Sequence, residues 1–381
     1  MKNTVIQFIH NIREGGAETL VKDYALLMDK DRVNIIIVTL YPPEKDSSNY
    51  RLLKENNIKI YTLVEKYPFI KPLLFQKIWN RFFFVKHFAQ KLLDICKEEQ
   101  ACCIHVHLDL LKFLAPISKE LSGIKLVYTC HSLPSRYLNQ TDKKSELKAA
   151  KKLITNNDLL IVALHGEMKK ELSELLHTDN VIVVPNGVDF SLYKNINESK
   201  SQIREALSIP EQSFVIGHVG RFSYMKNHQF LIQVFIKILE KKPEAFLLLI
   251  GDGPTKEEIE LLIKKNDISD KVLILSHRSD IPRLLKSMDI FIFPSQFEGL
   301  PVSIVEAQLS SLRVLMSNTI TTDCVFNTNV ILLDINESPS AWAEAALNDK
   351  IKGDISKDIT PFDMANVIKQ LEYIYTNNEY N

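Results

Sequence analysis

No two cysteines in this chain stand in a C-x-x-C spacing, and the five present (Cys96, Cys102, Cys103, Cys130, Cys324) keep no regular interval. That absence argues against a disulfide framework and a zinc site, and it fits a reducing compartment. Three of the five lie in or beside apolar runs, where a reduced thiol acts as a small hydrophobe. An excess of one charge is lacking too. Lys+Arg and Asp+Glu both total 47, so no global field draws the chain to nucleic acid, and no such partner is expected. No apolar stretch reaches the roughly 20 residues of a membrane span. The opening "MKNTVIQFIHN" holds too short an apolar run for a signal peptide, so the expected place is the cytoplasm.

What is present is a repeated alternation. At 381 residues, 25% charged and 45% hydrophobic, the chain has the balance of a soluble globular protein and the length of two domains. In the first half the β-branched runs are "TVIQFI", "VNIIIVTL", "IKIYTL", "CCIHVH", "IKLVYT", "DLLIVAL" and "NVIVVP". Runs that are apolar throughout suit strands buried on both faces of a parallel sheet. Amphipathic segments such as "AETLVKDYALLMDK" and "HGEMKKELSELL" separate them, which is the βαβ punctuation of a doubly wound α/β fold. The pattern breaks at the turn "PNG" (Pro185 to Gly187) and a polar tract, then restarts with "SFVIGHVG", "AFLLLIG", "KVLILS", "DIFIFP", "LRVLM" and "NVILLD". Two domains are expected, 1–190 and 191–360, with a final helix over 361–381 that need not pack on its nearest neighbour.

In open α/β sheets ligands gather beyond the carboxyl ends of the strands, where helix N-termini point their N–H groups. In the first such loop, Gly15 and Gly16 would let a phosphate or hydroxyl approach the backbone, although a steric turn needs the same pair. His131 in "TCHSLP" ends another strand, as a ligand contact or as a structural histidine. Arg221 and Lys226 in "HVGRFSYMKNHQFL" suit a diphosphate, the alternative being two solvated cations. "LIGDGP" adds a tight glycine turn with room for a flat ring or a backbone contact. In "SQFEGLPVSIVEAQLSS", Pro301 suits a first helical turn, Glu298 lies in the loop and Glu306 on the helix. A single carboxylate there would merely complement the helix dipole. Two of them, flanking the N–H groups of Gly299 and Leu300, suit an anionic ligand that carries hydroxyls, as sugars and riboses do.

The ordered set "GRFSYMKN", "GDGP", "SDIPRLLKSMDIFIFPS" and "EGLPVSIVE", with "PNGVD" and "GGAE", resembles the retaining glycosyltransferases of family 4. The resemblance covers essentially the whole chain. It implies the GT-B fold, two facing Rossmann-like domains with a C-terminal helix crossing back to the first. It also implies an acceptor-binding first domain and a second domain that binds a nucleotide-diphosphate sugar, with a UDP-sugar the expected donor. Arg221 and Lys226 would neutralise the diphosphate, and Glu306 would bond the ribose. Glu298, with the N–H groups of Gly299 and Leu300, would hold the donor sugar, while His131 and Gly16 would reach sugar and phosphate from the first domain. Retention implies either front-face attack, in which the leaving phosphate oxygen takes the acceptor's proton, or Glu298 as a covalent nucleophile. No metal and no other cofactor is expected. The only Asp-x-Asp, Asp29 to Asp31, precedes the second strand, at the wrong edge of the sheet for a ligand.

Departures from the family pattern flank the donor site. "SLR" (Ser311 to Arg313) replaces the usual "GLP", and Asn318 stands where Asp is common. "SNTITTDCV" resembles a subgroup linked to capsule and exopolysaccharide synthesis, so the implied acceptor is a saccharide, lipid-linked in many relatives. Residues 66–91 carry six Lys/Arg, eight aromatics and no Asp or Glu, a composition that suits an anionic membrane surface or an ordinary buried helix. The competing functions are a sugar-nucleotide 2-epimerase of GT-B architecture and a non-catalytic scaffold subunit.

Overall fold

The structure is a computed structural model that describes residues 2–65, 74–138, 144–348 and 357–377, the side chains of 74–82, 136 and 137 excepted. Each apolar run named above forms a strand. In the first half these are β1 (Asn3–Ile9), β2 (Val33–Thr39), β3 (Lys59–Thr62), β4 (Cys103–His107), β5 (Lys125–Thr129), β6 (Leu160–Ala163) and β7 (Val181–Val183). All pair in parallel, in the order β3-β2-β1-β4-β5-β6-β7, with Val5 opposite Ile35 on one side and Cys103 on the other. The second half contributes β8 (Val215–Val219), β9 (Phe246–Ile250), β10 (Val272–Leu275), β11 (Ile290–Phe293), β12 (Arg313–Ser317) and β13 (Val330–Leu333). Their order is β10-β9-β8-β11-β12-β13, again parallel. β4, β9 and β11 are buried at every position, as strands covered by helices on both faces must be.

The chain divides into two units, Met1–Asn186 with Ala365–Asn381, and Gly187–Met364. The crossings fall a few residues from the expected 190 and 360, and local pairing sets where. Val188 donates to Phe362 O (2.8 Å) and accepts from Met364 N (2.9 Å), a short parallel bridge. A Cβ at Gly187 would lie 3.0 Å from Met364 Cα, so glycine lets the two segments pass this closely.

In the first unit, the final helix, Met364–Thr376, buries Val367, Leu371, Ile374 and Tyr375. Lys125 donates to Ile374 O (2.6 Å) and Asn377 O (2.7 Å), supplying cationic donors to carbonyls that helix ends leave unpaired. Asp29 and Asp31 form a turn before β2, with Asp31 N donating to Asp29 Oδ1 (2.9 Å). In the second unit a buried Arg204 donates to Ser287 O, Glu211 O, Ser213 O and Asp289 Oδ2, joining three segments. Residues 66–73 of the basic aromatic segment, and the side chains of 74–82, lie outside the described residues. Beyond them Phe84 packs edge-on to Phe88 at 4.5 Å and against Phe113 at 6.3 Å, while Phe83 is 51% exposed.

Candidate active site

Strand order decides which loops meet. In the second unit the chain leaves β8 toward β9 and β10, then returns to place β11 on the other side of β8. The β8 and β11 loops therefore flank a topological switch point, where such sheets open a crevice at their carboxyl ends. The β8 loop carries Arg221 and Lys226; the β11 loop carries Glu298, Gly299 and Leu300, and the helix Val302–Leu309 carries Glu306. Gln296 N donates to Met225 O (2.9 Å), so the two loops are stitched side by side.

Lys226 and Glu298 meet there, with Nζ 2.7 Å from Oε1 and side chains 11% and 10% exposed. The lysine stem runs beside Gly220, and its ammonium sits 4.5 Å from the Phe293 ring centroid, a cation–π placement. Arg221, in contrast, is exposed. Glu306 accepts from Tyr193 Oη (3.0 Å); burial and the nearby carboxylate raise the phenol's pKa, so it stays a donor. Gly299 and Leu300 are buried at the entrance to the helix. Both carboxylates of the E-x7-E pair thus already have a protein partner. The sequence reading missed Tyr193, whose one signal was its place just after "PNGVD".

Of the flat ring or backbone contact expected at the turn after β9, the structure shows a contact with the protein's own backbone. Gly251 (φ +150°) and Gly253 (φ +152°) lie where an added Cβ would come within 2.1 Å of Gly220 O and 2.3 Å of Phe222 O. Phe222 N donates to Asp252 O (2.9 Å) and Thr255 N to Phe222 O (3.2 Å). The space these glycines leave is filled by the protein's own backbone, and it braces the Arg221 loop.

In the first unit the corresponding switch point lies between β1 and β4. Gly16 opens the helix Gly16–Leu27, and nothing lies within 4 Å of where its Cβ would be. Gly15 is extended and faces the Glu18 carboxylate, which pairs with Arg13, so Gly16 alone of the two borders open space. His10, at the end of β1, lies 2.6 Å from Asp109 Oδ1 just beyond β4. That pair went unread, although a histidine at a strand's carboxyl end is the signal that singled out His131. His131 follows β5, half-buried, with Nε2 2.9 Å from His107 Nδ1. Desolvation lowers its pKa to about 4. Burial pushes the neighbouring Cys130 thiol up to about 12, which leaves it inert as a nucleophile. Among the described residues no cluster of three or more His, Cys, Asp or Glu is disposed to hold a metal ion.

Residues 14–192 match the family described as "Glycosyltransferase Family 4", and residues 199–352 match "Glycosyl transferases group 1". The chain belongs to the family 4 glycosyltransferases. Among its relatives, the "Putative glycosyltransferase EpsF" of Bacillus subtilis is 27% identical over 89% of this chain and 86% of the relative. The "UDP-Gal:alpha-D-GlcNAc-diphosphoundecaprenol alpha-1,3-galactosyltransferase" of Escherichia coli is 24% identical over 74% and 77%. Among solved structures, Anabaena HepE in complex with UDP and glucose superposes with a TM-score of 0.78 at 20% identity, covering 98% of this chain and 99% of that one. The glycosyltransferase therefore has the GT-B fold, a Rossmann-like sheet in each unit.

Proposed function

We propose that this glycosyltransferase moves a sugar from a UDP-sugar, with retention and without a metal, to a saccharide on a lipid diphosphate, in the assembly of an exopolysaccharide or capsule. The observation that carries the reading is the Lys226–Glu298 pair at the β8/β11 switch point, with Arg221 and Glu306 on the same two connections. Cations there would meet the diphosphate, Glu306 the ribose hydroxyls, and Glu298 with the backbone of Gly299 and Leu300 the donor sugar. The activity named for the Escherichia coli relative and the ligands bound to HepE support uracil as the base and a lipid-linked acceptor. Gly16 and His131 are the first unit's proposed contacts to phosphate and sugar.

In the proposed reaction the bond from the anomeric carbon to the leaving phosphate oxygen breaks. The acceptor oxygen bonds to the same face, and its proton passes to that phosphate oxygen. Positioning and charge stabilisation then carry the rate. A carboxylate already paired with an ammonium is a poor nucleophile, which favours this route over a covalent intermediate on Glu298. Residues 66–91 are the proposed contact with an anionic membrane surface.

The test supplies the purified chain with a panel of nucleotide-sugars and either a lipid-diphosphate saccharide or the free saccharide. UDP release that depends on the lipid-linked acceptor, with an axial linkage by NMR from an axial donor, is expected. Turnover with no acceptor, leaving an epimerised sugar nucleotide, would replace the reading with an epimerase. Flotation with anionic vesicles, comparing wild type with Lys71→Glu, Lys77→Glu and Lys86→Glu together, reads the membrane contact; equal binding overturns it.

A further inference from the structure

Beneath His131 the first sheet buries a line of polar side chains that the roles above leave unused. Gln7 on β1 and His105 and His107 on β4 are fully buried, and Thr129 on β5 and Tyr375 on the final helix are each 4% exposed. The Gln7 amide Nε2 lies 3.0 Å from Tyr375 Oη, and its Oε1 lies 2.7 Å from His107 Nε2. Tyr375 Oη is 2.6 Å from His105 Nδ1, and His105 Nε2 is 2.7 Å from Thr129 Oγ1. The line ends with His107 Nδ1 at 2.9 Å from His131 Nε2.

Proton accounting gives the line a direction. An amide oxygen only accepts, so His107 must donate from Nε2 to Gln7. A neutral His107 then has a bare Nδ1, which can only accept, so His131 must donate from Nε2. His131 Nδ1 has no partner among the described residues and is left as an acceptor. Turning the Gln7 amide over would reverse every step and put the proton of His131 on Nδ1. The 3.0 Å between Gln7 Nε2 and Tyr375 Oη, typical of N–H···O and long for a hydroxyl donor, favours the direction given.

We propose that Gln7 is a positioning residue for His131: acting through His107, it holds the His131 imidazole as the Nε2–H tautomer, so that Nδ1 can accept a hydrogen bond from a substrate hydroxyl but cannot donate one to a carbonyl. The consequence for substrate rests on the proposed function; the tautomer does not. The network also ties this choice to Tyr375, so the final helix takes part in setting it.

Long-range 15N–1H correlation spectra of 15N-histidine-labelled protein, without donor or acceptor, read the tautomer directly, with His131→Gln assigning the signal. Wild type is expected to show the Nε2–H pattern for both His107 and His131. Gln7→Met, close to isosteric, and Tyr375→Phe, which deletes one oxygen, are expected to turn the His131 signal into a mixture. In both variants kcat/KM for transfer should fall roughly tenfold. An Nδ1–H His131 in wild type, or a tautomer unmoved by both variants, overturns the proposal. Because the spectra need no substrate, a chain that shows the expected tautomer yet transfers no sugar would refute the function and leave this inference standing.

Discussion

Lys226 and Glu298 take each other out of solvent, and neither would sit so deep alone. Removing one member leaves the other poorly solvated and unpaired. Lys226→Met and Glu298→Gln should each lower the melting temperature and cut turnover on the order of a hundredfold or more, the scale of losing a charge stabiliser. The double variant should recover part of the melting temperature and none of the activity. Calorimetry beside a UDP-release assay checks both halves; a single variant with full turnover would remove the pair from the chemistry. For Glu306→Ala, UDP binding should weaken by about 1–3 kcal/mol as hydroxyl partners are left unpaired. Tyr193→Phe should cost about 1 kcal/mol or less, since it removes only the hydrogen bond that orients the carboxylate. Isothermal titration separates these two sizes.

Among the elements, the connection from the helix Val302–Leu309 to β12 shows how a family departure is absorbed. Ser311, which replaces the usual glycine, has φ +58°, the left-handed region that costs an L-residue about 1–2 kcal/mol. The backbone here takes a conformation that favours glycine, although the residue is serine. Ser311→Gly should therefore stabilise the second unit by roughly 0.5–1 kcal/mol, the relieved strain less the added freedom of glycine when unfolded. Urea titration reads this, and a lower midpoint would show that the serine earns its place by another contact. At the final helix, Lys125→Met removes two charge-assisted bonds to Ile374 O and Asn377 O. The first unit should lose about 1.5–3 kcal/mol, seen as faster amide exchange over 365–377.

Across the whole molecule, both units bury imidazoles in a neutral state. Burial lowers His105 to about 3 and His131 to about 4 in the first unit, and His218 to about 3 and His228 to about 2 in the second, from an ordinary 6.5. His107 is lowered as well, again by burial. When the chain unfolds, each of these rings can bind a proton below pH 6.5 that it refuses when folded. Their contribution is therefore complete above about pH 6.5 and is lost as pH falls below it, down to about 4 for His131 and lower for the others, by up to about 1.4 kcal/mol per pH unit for each ring. Melting temperatures of both units should drop between pH 7 and pH 5. Equal melting at the two values would mean that these rings are already solvated in the folded protein.

Sequence alone determined the strands, because a segment buried on both faces of a parallel sheet must be apolar throughout, and that pattern is local. It also brought forward Arg221, Lys226, Glu298, Glu306, Gly16 and His131, because each follows a strand closely enough for its loop to be recognised. What it left open was who pairs with whom. Tyr193 and Glu306 are 113 positions apart, and Gln7 and Tyr375 are 368 apart. No periodicity spans such distances; only the order of strands in each sheet and the return of the last helix bring these atoms together. The glycines after β9 were legible as a tight turn, yet which atoms fill the space beside them depended on how closely the neighbouring loop approached. Identity and position along a strand are properties of the chain, whereas a hydrogen-bond partner is a property of the packing.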